Sequence, residues 1–415
     1  MSSIAAATTS PPLRVVMVGP FGLRPRMTIG MRALPLAKAL VRRGHDVTLL
    51  LPPWQNPEDA GYTFVEDGVR VENLALPAGI PGWFHLALTR RLVRRTLALS
   101  PDVVHAFKPK AYAGLTHLAL ARRTPVVVDT DDWEGPGGWN AMGAYGPLLR
   151  RFFAWQERWG LRSAAAVTVA SRALQTLTWS LGGDPERVFY VPNGALSLPV
   201  KGTPSTMGRP TVFLYTRFFE FDLDRLWRMM SLVREGRPDV RFLVAGKGFH
   251  GEEGRLLSQA RGAGWEVDGA ERETVPSPDD VSDADLVYVG WGTPTNLPAC
   301  LDAASLAIYP FDDTLLNRTK CPVKLMDLLA AGVPVVADAV GQVAEAIVPG
   351  TTGALIPPGD EAAFATGVVD LLAKPDALRQ MGRAARSDVA RRFNWDDLAG
   401  TVVTAYRYAL RRRHG

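Results

Sequence analysis

The chain has 415 residues, 47% of them hydrophobic and 21% charged, a length that suits two domains, each able to bury a core. Its two cysteines, Cys300 and Cys321, are too few for a disulfide framework and favour a reducing compartment, and no uninterrupted apolar run approaches the ~20 residues of a membrane span. The net charge of +5 is unevenly placed, with 22 Lys/Arg against 14 Asp/Glu in residues 1–200 and 25 against 28 in the rest.

A basic N-terminal half suits anionic lipid, a phosphorylated acceptor or nucleic acid. No nucleic-acid motif accompanies it, so nucleic acid is not an expected partner. The first dozen residues, MSSIAAATTSPP, lack a basic n-region and an apolar core, which predicts a disordered start rather than a signal peptide.

Residues 13–19 (LRVVMVG) read as a first buried strand. A glycine-bearing loop over 20–28 follows, then a helix over 30–43 stopped by Gly44, then a strand over 46–51. That order is a βαβ unit, and the lack of G-x-G-x-x-G removes the dinucleotide fingerprint. Residues 69–76 predict a further strand. Residues 82–100 predict an amphipathic helix with Leu88, Leu92, Thr96 and Leu99 on one face and Arg90, Arg91, Arg94 and Arg95 on the other. Trp83 and Phe84 stand at its start, and residues 148–162 (LLRRFFAWQERWGLR) again mix arginine with large apolar side chains. These two segments suit docking on an anionic membrane surface; a solvated basic face is the plainer reading.

Residues 102–107 (DVVHAF) read as a strand with His105 at its end; a lone histidine also serves structure. The sharpest N-terminal signal is 125–133 (PVVVDTDDW), where a buried strand over 126–128 runs into Asp129, Asp131 and Asp132. The C-terminal end of a parallel strand is the ligand edge of its sheet, and a carboxylate there can orient a hydroxyl or take its proton. A loop solubilised by charge is the alternative, and no D-x-D pattern clearly demands a metal. A strand over 164–170 follows, then Ser171 as N-cap of a helix over 172–180. Proline and glycine crowd 192–210, which reads as an interdomain linker.

A second βαβ series opens with a strand over 210–216 that ends at Arg217. Strands over 240–245, 286–289 and 306–310 and a helix over 297–303 continue it. Alternating strands and helices predict a parallel sheet. Residues 317–360 organise the chain: Cys321-Pro322 starts a helix over 323–331, Gly332 stops it, and 333–337 is an apolar strand with Pro334 near its start. Gly341 then opens a turn, Glu345 lies in a new helix, and GTTG and PPGD mark loops. Helices over 361–373, 376–392 and 396–412 finish the chain.

The stretch 317–360 resembles the donor-binding half of retaining GT-B glycosyltransferases, glycosyltransferase family 4 in particular. The family pattern is a carboxylate, A-x-A-x-G-x-P-V-V, G-G-x-x-E and a G-x-x-G loop. Here the carboxylate is Asp327, five residues before Gly332. The family usually has Glu there and a second Glu eight residues earlier, where this chain has Thr319. A family variant, P-x-K-x-x-E-Y-x-A-x-G, fits Pro322, Lys324 and Asp327. Further matches are the R-G-H-x-V join at 43–47, Gly22 and Gly30 in the first loop and helix, and the Pro192-Asn193-Gly194 close, where the family shows V-x-P-N-G and this chain has Tyr190 at the first position. In D-V-V-H-x-H the second histidine is Phe107 here, and the histidine that many members carry after the next strand aligns with Asp131.

The resemblance implies two Rossmann-like doubly wound α/β domains facing across a cleft. It places an acceptor-side domain over 13–197 plus 396–415 and a nucleotide-sugar-binding domain over 198–395. It implies transfer of a sugar, with retention, from a nucleotide-diphosphate sugar to a glycan, lipid or small-molecule acceptor, in polysaccharide or glycolipid biosynthesis. Asp131 is the catalytic candidate, with His105 and Asp132 on the acceptor side. Gly22, Arg217, Lys320, Lys324, Asp327, Gly341 and Glu345 are the donor-binding candidates. The family's lysine about five residues after the arginine is missing from FFEFD, so Lys320 or Lys324 is expected to supply that charge to the diphosphate. No metal and no cofactor beyond the donor substrate are expected. The expected location is cytoplasmic, with a peripheral contact at the inner face of the membrane as an added expectation. Two other readings compete: a nucleotide-sugar epimerase, and a non-catalytic scaffold that kept the fold.

Overall fold

The structure, a computed structural model, describes all residues except 1–10, 25–27, 80, 144, 183, 196–199, 201–207, 270, 272–273, 276, 278, 280 and 415. The expectations for residues 1–10 and for most of the linker over 192–210 fall outside the described residues. The chain divides into two compact units, Met1–Pro192 with Trp395–Gly415, and Asn193–Asn394.

The first unit holds an eight-stranded sheet. Its strands are β1 Arg14–Val18, β2 Asp46–Leu51, β3 Thr63–Glu66, β4 Val69–Asn73, β5 Val103–Phe107, β6 Val126–Thr130, β7 Ala166–Val169 and β8 Val188–Tyr190. The order is β3-β4-β2-β1-β5-β6-β7-β8. All pairs are parallel except β3–β4, an antiparallel edge strand missing from the expectation. Its side chains, Thr63 to Val65, are exposed, so the apolar run that marks a buried strand is weak there. Helices α1 Leu34–Arg42, α2 Pro81–Ala98, α3 Ala111–Leu120, α4 Pro147–Ser163 and α5 Arg172–Ser180 connect the strands. Ser171 caps α5, its hydroxyl accepting the Leu174 N–H at 3.2 Å, as expected. Leu88, Leu92 and Thr96 of α2 are fully buried, so its apolar face is the expected one.

The helix expected over 30–43 has two parts. A π-helical turn, Ile29–Ala33, precedes α1. Pro35 sits in the first turn of α1, where its missing N–H is harmless; in an unbroken α-helix it would clash with the preceding turn. The C-terminal helix Trp395–His414 packs on α1 and on β6 to β8, and its Tyr406 is fully buried.

The second unit holds a seven-stranded, all-parallel sheet: β9 Thr211–Thr216, β10 Arg241–Gly246, β11 Val267–Asp268, β12 Leu286–Tyr288, β13 Leu306–Tyr309, β14 Val335–Asp338 and β15 Gly353–Ile356. The order is β11-β12-β10-β9-β13-β14-β15. Its helices are α6 Leu223–Gly236, α7 Glu252–Gly262, α8 Leu297–Ala303, α9 Leu315–Thr319, α10 Val323–Ala330, α11 Gln342–Ala346, α12 Glu361–Leu372 and α13 Pro375–Arg392. Two apolar clusters cover the two faces of the sheet. Leu325, Leu328 and Leu329 of α10 are fully buried in one of them; truncating such a leucine to alanine costs about 2–5 kcal/mol. That burial fixes which face of α10 is left for chemistry.

Among the described residues no helix is long and apolar enough to cross a membrane. Both units are Rossmann-like α/β domains.

Candidate active site

Each sheet reverses its strand order at one point, between β9 and β13 in the second unit and between β1 and β5 in the first. Ligands bind open α/β sheets beyond the carboxyl ends of the strands at such a point. Arg217 is the residue after β9. Its guanidinium carbon lies 4.8 Å from the ring centroids of both Phe249 and Trp291. Those rings belong to the loops after β10 and β12, so three neighbouring strand ends converge.

Lys320, Lys324 and Asp327 come from the far side of the switch point. The Lys320 ammonium lies 3.7 Å from Glu220 Oε1 and 3.7 Å from the centre of the Phe219 ring. Lys324 sits in the first turn of α10. Its Nζ is shielded from solvent without a hydrogen-bond partner, although the stem is partly exposed. It faces the Tyr215 ring at 4.8 Å and the Trp291 ring at 5.7 Å. Burial pulls its pKa down to about 7.

Asp327, one turn further along α10, is 5% exposed and its Oδ1 also lacks a hydrogen-bond partner. Burial pushes its carboxyl up to about 7, against the opposing pull of Lys324. A buried amine and a buried carboxyl without hydrogen-bond partners are costly unless a ligand supplies them. This is the group of residues that can meet hydroxyls and an anionic diphosphate.

Gly341 has φ +50°, and a Cβ there would lie 2.4 Å from the Arg318 carbonyl oxygen. Only glycine fits. Glu345, in α11, is half-buried, and its backbone carbonyl accepts from Arg392 Nη1 at 2.9 Å. Thr319, at the position of the family's second glutamate, is fully buried, and its hydroxyl donates to the Leu316 carbonyl at 2.9 Å. Arg225 bridges Asp312 and Asp338 at 2.7–2.8 Å, tying the ends of β13 and β14 together behind this edge.

In the first unit Asp131 and Asp132 follow β6 and lie at the sheet edge. Lys108, the residue after β5, reaches Asp131 Oδ1 at 2.9 Å, Asp132 Oδ2 at 3.0 Å and Glu134 Oε1 at 3.8 Å. Burial raises the Asp131 carboxyl to about 6, with Lys108 pulling the other way. Asp129, which the sequence grouped with them, is the fourth residue of β6 and pairs inside the unit with Arg32 at 2.6 Å.

His105 is the central residue of β5, in register with Met17 of β1, not at the strand's end as expected; the strand runs on through Ala106 and Phe107, both buried. His105 is fully buried, with Nδ1 2.9 Å from the Tyr406 hydroxyl and Nε2 3.1 Å from the Thr168 hydroxyl. Thr168 donates to Asp129 Oδ2 at 2.7 Å, so it accepts from His105, whose proton then sits on Nε2. Burial holds the ring's pKa at about 4. Gly22 is in the loop after β1, where a Cβ would meet Asn56 Oδ1 at 2.6 Å.

The structure thus brings Arg217, Lys320, Lys324 and Asp327 to one sheet edge and Asp131 and Asp132 to another. His105 is in the sheet interior, away from either edge. Lys108, Tyr215, Phe249 and Trp291 escaped the sequence reading. Each lies at or just beyond a strand's C-terminal end, and that position is the signal that could have found them. Among the described residues no group of three or more His, Cys, Asp or Glu side chains is arranged to hold a metal ion.

Residues 28–194 match the model of the glycosyl transferase 4-like domain and residues 209–374 that of glycosyl transferases group 1. A glycogen synthase of Mycobacterium tuberculosis (strain CDC 1551 / Oshkosh) is 25% identical over 409 residues, 92% of this chain and 91% of that protein. A phosphatidyl-myo-inositol mannosyltransferase of Mycobacterium leprae (strain TN) is 24% identical over 406 residues, 95% and 96%. The fold is also that of a sucrose-phosphate synthase from Thermosynechococcus elongatus, with TM-score 0.68 and 19% identity over 95% of this chain and 98% of that one. Among the three readings of the sequence, these findings bear out the glycosyltransferase. With both halves matched in order on two Rossmann-like units, the chain belongs to the GT-B glycosyltransferases of group 1.

Proposed function

We propose that this glycosyltransferase moves a hexose from a nucleotide-diphosphate sugar to a hydroxyl of a glycan, lipid or small-molecule acceptor, with retention at the anomeric carbon. One observation carries the donor half: the Lys324 ammonium and the Asp327 carboxyl, one turn apart on α10 and near Arg217, have side-chain atoms shielded from solvent that lack hydrogen-bond partners. Asp327 is suited to accept from ribose hydroxyls, and Lys324 and Arg217 to neutralise the charge that grows on the departing diphosphate. Lys320, Gly341 and Glu345 border the same edge. Asp131, with Asp132 beside it, is the group suited to orient the acceptor hydroxyl. Gly22 belongs in this reading as a close-approach position in the first loop.

The test is thermal stability of the protein against UDP, GDP, ADP and their common sugars, with Asp327→Ala as control. A ligand at ~100 times its dissociation constant stabilises by roughly 2.7 kcal/mol. A shift with one nucleotide, absent in the variant, supports the reading and names the donor class; the same shift in both proteins moves the site elsewhere. The anomeric coupling of the product, read by proton NMR, tests retention.

A lipid-linked acceptor is supported by α4, which exposes Leu148 at 84%, Trp155 at 45% and Phe152 at 37% on one stripe, beside the exposed Arg150, Arg151 and Arg158. Of the α2 arginines, Arg95 is taken up by Glu72 and Arg91 by the Ala75 carbonyl, while Arg90 and Arg94 remain exposed. Co-sedimentation with vesicles containing phosphatidylglycerol, lost in Leu148→Glu with Trp155→Glu, is the expected result. Equal binding by the double variant overturns this surface.

A further inference from the structure

We propose that Lys108 is a positioning residue, fixing Asp131 as a carboxylate at the ligand edge of the first unit's sheet, with Asp132 as its second anchor, so that Asp131 meets the hydroxyl of a neutral sugar. The proposal rests on the reading of Asp131 as the acceptor-side group.

Placement is the first support. Lys108 directly follows β5, one of the two strands at which the order reverses, and Asp131 directly follows the neighbouring β6. The backbone is the second. Lys108 has φ +61° and Ala111 φ +48°, a conformation that non-glycine residues keep only where their surroundings impose it, and one that gathers at functional sites. Here the Lys108 N–H donates to the Asp129 carbonyl at 2.9 Å, the Lys110 N–H to the Lys108 carbonyl at 2.8 Å and the Ala111 N–H to Gln156 Oε1 at 2.9 Å. With this bend the Lys108 ammonium reaches Asp131 and Asp132, just beyond the end of β6.

The charges are the third. Lys108 is 7% exposed and contacts Asp131 and Asp132 at 2.9 and 3.0 Å. The neighbouring ions are already committed. Arg32 pairs with Asp129, and Lys110 pairs with Glu134 and meets the Tyr145 hydroxyl at 3.1 Å. Glu157 accepts the Glu134 N–H with both oxygens, and burial drives its carboxyl well above the ordinary range. Lys108 is therefore the cation in direct contact with Asp131.

It touches Oδ1, an atom shielded from solvent, which leaves Oδ2 to accept a hydroxyl hydrogen. Two carboxylates on one ammonium keep a residual negative charge. That favours a hydroxyl donor over a phosphate oxygen, so the group meeting this edge is the sugar part of an acceptor and not an anionic one.

The experiment follows the side-chain carboxyl of Asp131 by carbon-13 NMR in the full chain across pH 4–9, its signal assigned by its loss in Asp131→Asn. Lys108→Met should move the titration midpoint up by about 1–3 pH units, the size of shift an adjacent opposite charge produces, and Lys108→Arg should hold it near the wild-type value. Should Lys108→Met lose its thermal transition, Lys108→Gln serves, since it keeps a hydrogen-bond donor and removes the charge; the midpoint should again rise. A midpoint unmoved by Lys108→Met, or by Lys108→Gln where that variant is used, overturns the proposal. Sugar transfer from the donor found in the nucleotide screen is measured in parallel. Full transfer by Asp131→Asn removes the reading on which the proposal rests, and an unmoved midpoint overturns the role of Lys108 alone.

Discussion

Arg32 and Asp129 close a two-point ion pair inside the first unit, Nε to Oδ1 at 2.7 Å and Nη2 to Oδ2 at 2.6 Å. Both residues are 1% exposed. The pair ties the π-helical turn after β1 to β6, and Arg32 Nη2 also donates to the Val191 carbonyl at 2.9 Å. Burial alone would push the Asp129 carboxyl up; Arg32 and the Thr168 hydroxyl outweigh it and hold it below the usual range. Arg32→Met would strand that charge. It should destabilise the first unit by about 3–5 kcal/mol, and the double change Arg32→Met with Asp129→Leu by less. Urea unfolding followed by tryptophan fluorescence checks this; a double variant worse than the single one contradicts it.

In the proposed donor role, Lys324 should link binding to pH. In the unliganded protein burial holds its amine at about 7, and a bound diphosphate favours the ammonium. Binding therefore takes up a proton above pH ~7, and affinity should fall as pH rises from 7. Titration calorimetry with the donor nucleotide, in buffers of different ionisation enthalpy, measures the uptake. Lys324→Met should bind more weakly and lose the dependence; an unchanged slope in that variant rules Lys324 out as its source.

His117 should set an acid limit on the stability of the first unit. It is 1% exposed in α3, its ring lies tilted at 45° against Trp159 with centroids 4.7 Å apart, and neither ring nitrogen has a hydrogen-bond partner. Burial lowers its pKa to about 4 from an ordinary 6.5. The folded state prefers the neutral ring, so the stabilisation is complete above pH ~6.5 and is lost as pH falls toward 4. His105, held at about 4 by burial, adds to the same trend. Melting temperatures at pH 7 and 5 should differ less in His117→Leu than in the wild type. An equal drop would mean that the acid limit lies elsewhere.

Gly341 and Gly350 both have positive φ, +50° and +74°. A Cβ at Gly341 meets the Arg318 backbone at 2.4 Å, whereas at Gly350 nothing lies within 4 Å. Gly350→Ala should cost about 1–2 kcal/mol from backbone strain alone. Gly341→Ala should cost more and also weaken nucleotide binding, because α9 or α11 must shift. Equal melting temperatures for the two variants would show that the close approach relaxes freely.

The alternation of buried strands and helices, the glycine stops and the Ser171 cap are local properties, so chain order alone predicted two βαβ series and parallel sheets; that both are Rossmann-like came from the family resemblance. Helix α10 was legible because its apolar face and the Pro322 and Gly332 boundaries lie within a dozen residues. Lys324 and Asp327 share a helix, and their one-turn spacing could be read directly. Helices α3, α4, α6, α7 and α9 were not anticipated; α6 was legible all the same, since Leu223, Leu226, Met229, Met230 and Val233 recur at helical spacing on its buried face behind the Asp222 cap, whereas α9 has only five residues, too few to show a period.

What the tertiary structure alone decided is which charges are spent and which remain. Asp129, Asp131 and Asp132 fall within four residues and look alike in the sequence. Arg32, 97 positions away, consumes the first, and Lys108, on the adjacent strand end, holds the other two. His105 stands in a motif that suggests chemistry, yet Thr168 and Tyr406, from β7 and the C-terminal helix, enclose it. Burial and pairing depend on strand order, and strand order brings together residues that no local pattern connects.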